Sequence, residues 1–172
     1  MIVFDINGTL LKRVKRTEKE HIRNLEKNQF LPISHDSIYN YYFRKDLDKL
    51  SSFLDTNSVP YCFWTTMFEK NANICTELLK TVGFTKYLKI YNQDQCLIGN
   101  NKGKVKAEKW VKNLEIPSGE LDVPLDRCVL IDDDLVKVYG NQNSFIVDEF
   151  NFELVDDGVE KIIDFIKQFI QL

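Results

Sequence analysis

The chain is expected to be an α/β protein, with a central parallel sheet in a three-layer α/β/α arrangement. Short runs of β-branched and aromatic residues recur along it, and between them lie segments whose apolar residues repeat at helical spacing. Three of the apolar runs also stop abruptly on polar, chemistry-bearing residues, which is where open α/β sheets place their sites. The 172 residues fit a single domain, residues 1–172, with no internal repeat or linker.

The first strand is Ile2-Val3-Phe4, running into Asp5 and then Asn7-Gly8-Thr9, where the glycine lets the chain turn. Residues 12–28 alternate basic and acidic side chains and read as a surface helix or loop. Ile38 to Phe43 reads as an aromatic-rich strand or flap, so residues 11–43 form an insert after the first strand. Leu47, Leu50 and Leu54 lie on one face of a helix that Asp46 can cap. Tyr61 to Trp64 is the second buried strand and ends at Thr65-Thr66. A helix follows with Ala72, Cys75, Leu78 and Leu79 inward, stopping near Gly83, and Tyr87 to Tyr91 is the third strand. Ala107, Trp110, Val111 and Leu114 predict a helix over 104–114, and the prolines of 116–124 a loop. Cys128 to Ile131 is the fourth strand, ending at Asp132-Asp133-Asp134, and Ser144 to Val147 is the fifth. Val159, Ile162, Ile163, Ile166 and Ile170 define the last helix.

A hydrophobic content of 44% and a charged content of 28% are those of an ordinary globular protein. A net charge of −3 does not suggest a dedicated nucleic-acid binder. No apolar run approaches the roughly 18–20 residues of a membrane helix, and no secretory leader is visible. Cys62, Cys75, Cys96 and Cys128 show no CxxC spacing, which argues against a zinc site and for a reducing compartment. The expected location is intracellular, cytoplasmic or nuclear.

In a parallel sheet the carboxyl ends of the strands share one edge, so Asp5, Thr65, Asp132 and Asp133 can meet there. Lys102, Lys104 and Lys106 cluster ahead of the expected helix. Carboxylates suit Mg²⁺, a hard cation, and adjacent aspartates repel each other unless a cation joins them. Asp5 would then attack phosphorus to give an aspartyl-phosphate, while a threonine hydroxyl and a lysine ammonium hold the outer oxygens.

With these residues in place the sequence resembles the haloacid-dehalogenase (HAD) superfamily. Asp5-Ile6-Asn7-Gly8-Thr9 is similar to its first motif, DxDx[TV], except at the second aspartate. Trp64-Thr65-Thr66 is similar to the second motif and Ile131-Asp132-Asp133 to the fourth. Within it the chain resembles the small, NLI-interacting-factor-like phosphatases related to those acting on the RNA polymerase II tail. The stretch from Tyr41 to Leu47 is similar to that group's strand followed by Arg-Pro-Gly-Leu, with Lys45 where the proline stands. Gln93 to Cys96 and Asn143 to Val147 add to the likeness.

The resemblance implies a Rossmann-like, HAD-like domain without a large cap, Mg²⁺ as cofactor and a phosphorylated protein or peptide as substrate. Small-molecule phosphates remain an alternative. It implies Asp5 as nucleophile and Thr65 and Thr66 as phosphate ligands. It implies a third-motif lysine, with Lys104 ahead of Lys102 and then Lys106. The metal would lie on Asp5, Asp132, Asp133 and the backbone carbonyl of Asn7. It also implies that residue 7 is the general acid/base, and an amide cannot exchange a proton that way. Three explanations stand open: a replaced native aspartate, an inactive phosphopeptide- or protein-binding relative, or a different reaction on the same scaffold.

Overall fold

The computed structural model describes residues 1–99, 109–153 and 155–171. In chain order the elements are β1 (Ile2–Phe4), β2 (Leu11–Lys15), α1 (Lys19–Lys27), β3 (Ser34–His35), β4 (Tyr39–Phe43), α2 (Leu47–Thr56), β5 (Tyr61–Trp64) and α3 (Glu69–Lys80). There follow β6 (Ile90–Tyr91), β7 (Leu97–Gly99), β8 (Lys109–Val111), α4 (Glu115–Glu120), β9 (Val129–Asp132), β10 (Ser144–Ile146) and α5 (Gly158–Ile170). Among the described residues no helix is long and apolar enough to cross a membrane.

The central sheet has the order β10-β9-β1-β5-β6, and every pairing in it is parallel. Successive residues of a strand point to opposite faces, and the core divides accordingly. Ile2, Phe4, Phe63 and Ile131 pack with Leu50, Leu54, Cys75, Leu79, Ile162 and Ile166, so α2, α3 and α5 contribute to that core. Val3, Cys62, Trp64 and Leu130 pack on the other face with Leu114, Ile116 and Leu121, a layer whose helix, α4, has only six residues. All four cysteines are buried and free.

The insert forms its own antiparallel sheet, β2-β4-β3, in which Arg13 is paired with Tyr41 and Leu11 with Phe43. Val14, Leu25, Tyr42 and Phe150 make a small satellite core. Asp46, just before α2, adopts the left-handed backbone conformation (φ 62°) that glycine supplies most readily and aspartate tolerates.

Two expected elements are corrected. Residues 109–111 are a strand, β8, paired antiparallel with β7, where a helix was expected. Aromatic and β-branched residues such as Trp110 and Val111 suit either pattern over a short run, and here the partner strand decides. Residues 116–120 of the expected loop belong to α4, whose Pro117 stands in the first turn, where a missing N–H costs nothing. The third strand is shorter than expected, Ile90–Tyr91 alone.

Candidate active site

Three adjacent central strands deliver the floor of the site. Asp5 follows β1, Thr65 follows β5 and Asp132 closes β9. The backbone N–H of Asp5 donates to the Ile131 carbonyl at 2.8 Å and that of Thr65 to Tyr91 at 3.0 Å, so both residues are held as extensions of their strands. Asp5 is 1% exposed and Asp132 fully buried. Buried carboxylates need partners, and these come from a residue that the sequence did not single out. Lys112 Nζ donates to Asp5 Oδ1 at 2.5 Å and to Asp132 Oδ2 at 2.6 Å, with none of its surface exposed. Lys102, Lys104 and Lys106 lie outside the described residues.

A second ammonium group faces the same carboxylates. Lys137 Nζ lies 3.1 Å from Asp132 Oδ1, 3.1 Å from Asp133 Oδ1 and 3.6 Å from Asp5 Oδ2. The two lysines are coupled through the backbone, because Lys112 N donates to the Lys137 carbonyl at 2.7 Å and Tyr139 N to the Lys112 carbonyl at 3.3 Å. Three carboxylates against two ammonium groups leave the cluster one negative charge in excess.

The electrostatics follow from this crowding. Burial pushes the Asp5 carboxyl up, the Asp132 charge adds to that, and Lys112 and Lys137 pull against both. Burial also acts to raise Asp132, but Lys112 and Lys137 outweigh it and hold this carboxyl below its usual range. Asp133 is pushed up to about 6 by burial and by the Asp5 charge. Lys137 is raised, because the attraction of Asp5, Asp132 and Asp133 exceeds the cost of its burial.

Above this floor opens a cleft of about 380 Å³ whose wall includes Asn7, Arg13, Thr65, Thr66 and Asp133. Asn7 Oδ1 accepts from the backbone N–H of Arg13 at 3.1 Å, which ties the motif to the insert. Gly8 has φ +99°, and a Cβ there would stand 2.3 Å from Asp133 Oδ2, so a side chain at this turn would displace the aspartate. Thr9 Oγ1 lies 3.5 Å from Asp5 Oδ2 and 3.4 Å from Asp133 Oδ1.

Asp5, Asp132 and Asp133 each offer an oxygen, all within 4.8 Å of one another. The donor set fits a hard divalent cation such as Mg²⁺. Lys137 faces the same oxygens, so an ion binding them would have to share or displace its contacts.

A parallel sheet with carboxylates converging at the carboxyl ends of its central strands defines a HAD-like α/β protein. The model of the NLI interacting factor-like phosphatase family matches residues 1–172, and the chain belongs to that family. Among solved structures it is similar to the fission yeast RNA polymerase II CTD phosphatase Fcp1 bound to beryllium fluoride. Identity there is 16% over 99% of this chain and 49% of that one, with a TM-score of 0.56. A second structure of Fcp1, an essential RNA polymerase II CTD phosphatase, gives 16% over 99% and 47%, with a TM-score of 0.55. The chain thus spans about half the length of the Fcp1 chains that it matches, and at this identity the likeness shows the fold alone. No curated protein matches.

Proposed function

We propose that the chain carries the site of a Mg²⁺-dependent phosphomonoesterase that works through an aspartyl-phosphate on Asp5 and acts on a phosphorylated protein or peptide. The observation that carries the reading is the buried Lys112 ammonium shared by Asp5 and Asp132 beneath a cleft that also presents Thr65. Lys112 holds the Asp5 carboxylate in place. Thr65 and Thr66 line the cleft and would take a phosphate's outer oxygens. In the first step an Asp5 oxygen bonds to phosphorus, the ester P–O bond breaks and the leaving alkoxide takes a proton from water. In the second, water attacks the same phosphorus, releases orthophosphate and regenerates the carboxylate. Asp5, Asp132, Asp133 and the Asn7 carbonyl would hold Mg²⁺, which supplies charge neutralisation to the phosphate.

Asn7 can neither give the first proton nor take the second. Its Oδ1 is already bonded by the Arg13 N–H, and this favours a second reading in which the chain binds phosphopeptide without turning it over. Hydrolysis of p-nitrophenyl phosphate with Mg²⁺ separates the two. Asn7→Asp is expected to raise the rate by about 10²–10⁴-fold, the usual worth of a general acid/base, and Asp5→Asn to abolish it. An inert Asn7→Asp protein would refute the enzymatic reading.

A further inference from the structure

The cleft presents two cationic side chains, Arg13 and Lys137, among the described residues, and they are differently placed. Lys137 is surrounded by three carboxylates, and Lys112 beneath is shared by two and sealed from solvent. Arg13 has neither arrangement. Its Nε and Nη1 are buried and have no hydrogen-bond partner, and it takes part in no ion pair among the described residues. The guanidinium carbon lies over the Tyr39 ring, 4.7 Å from its centroid, a cation–π contact that does not satisfy its N–H groups. The carboxylate of Asp36, in the turn between β3 and β4, is occupied by the Tyr41 hydroxyl and by the N–H groups of Ile38 and Tyr39.

Two buried guanidinium nitrogens without an acceptor are costly, and an anion entering the cleft that Arg13 lines would bring the guanidinium one. The group it lacks is an oxyanion, which the planar fork of arginine binds through paired N–H donors. We propose that Arg13 is a substrate-binding residue that takes the outer oxygens of the incoming phosphate from the insert side of the cleft. The assignment rests on the phosphate-site reading above. It gives the insert a part in the site, since β2 brings Arg13 to the cleft while the Arg13 backbone N–H holds Asn7. That N–H survives any substitution at residue 13 except proline, so the side chain can be tested alone.

The experiment is calorimetric titration of the native chain, Arg13→Met and Arg13→Lys with orthophosphate, and with a singly phosphorylated serine peptide and its dephosphorylated form, all in Mg²⁺. Arg13→Met is expected to weaken orthophosphate and phosphopeptide by about 10- to 100-fold, the span for a charge-assisted contact. Arg13→Lys recovers part of the loss, and the dephosphorylated peptide shows no difference. Melting curves confirm that both variants fold, and should one fail, the comparison is made with the other. Native and Arg13→Met proteins that bind orthophosphate equally would overturn the Arg13 assignment alone. A native chain that binds no orthophosphate would overturn the phosphate-site reading, and the assignment with it.

Discussion

Arg13 lies in β2 and Arg44 follows its partner strand β4, and the two have opposite surroundings. Arg44, immediately after β4, is 2% exposed, and each of its guanidinium nitrogens has an acceptor. Its Nε and Nη2 donate to the Asp156 carboxylate at 2.9–3.1 Å, its Nη1 to the Thr9 carbonyl at 3.0 Å and its Nη2 to the Asp148 carbonyl at 2.7 Å. It joins the first motif, the segment after β10 and the start of α5. Arg13, in β2, has buried N–H groups that nothing accepts. One arginine holds the scaffold closed and the other is left open to a ligand. What distinguishes them is not residue type: Arg44 is buried with acceptors around it, whereas Arg13 is partly exposed at the cleft and two of its nitrogens lack acceptors.

The largest effect expected from this contrast is on stability. Removing one partner of a buried ion pair leaves the other uncompensated, at about 3–5 kcal/mol. Arg44→Met should therefore lower the urea midpoint severely, while Arg13→Met, which removes an unsatisfied cation, should leave it unchanged or raise it. Equal losses in urea denaturation would erase the distinction.

A smaller effect is expected at Gly158, the first residue of α5, where a Cβ would stand 2.1 Å from Arg44 Nη2. Alanine is the better helix former by about 1 kcal/mol, yet Gly158→Ala should destabilise, by the ~1–3 kcal/mol of an overpacked site. A variant melting above the native protein would show that Arg44 is less tightly held than its contacts imply.

The smallest effect concerns the crowded carboxylates. With its carboxyl raised to about 6, Asp133 binds a proton more tightly in the folded chain than in the unfolded one. The stability that this proton provides is fully present below about pH 4, the unfolded value, and is lost as the pH rises through 6. In EDTA the melting temperature of Asp133→Asn should gain on that of the native protein between these values and run parallel to it above them. Parallel curves throughout would mean that burial and the Asp5 charge do not raise the Asp133 carboxyl in the folded chain.

Much of the site was legible in the sequence, because Asp5, Thr65 and Asp132 each follow an apolar run and a parallel sheet brings such ends to one edge. Lys112 was hidden by the helical reading of 104–114. Placing Trp110, Val111 and Leu114 on one face turned Lys112 toward solvent, whereas β8 and its bridge to the Lys137 segment turn it into the core. That pairing is long-range and leaves no local trace. Lys137 was more accessible to reasoning, since a lysine four residues after Asp133 on a helical turn lies near it. The role of Arg44 depended on Asp156, more than a hundred residues away, and could only come from the fold.

The central claim is that Asp5 takes up a phosphoryl group and that Asn7 hinders its removal. Aryl phosphates need little help from a general acid at the leaving group, so the native chain should still be phosphorylated by p-nitrophenyl phosphate in Mg²⁺. Without a base to activate water, the adduct should persist. Intact-protein mass spectrometry after acid quench, with borohydride reduction to locate the acyl phosphate, reads this directly. The account predicts one added phosphoryl group per chain, on Asp5, which is lost rapidly in Asn7→Asp. No adduct, or an adduct on any other residue, would contradict it.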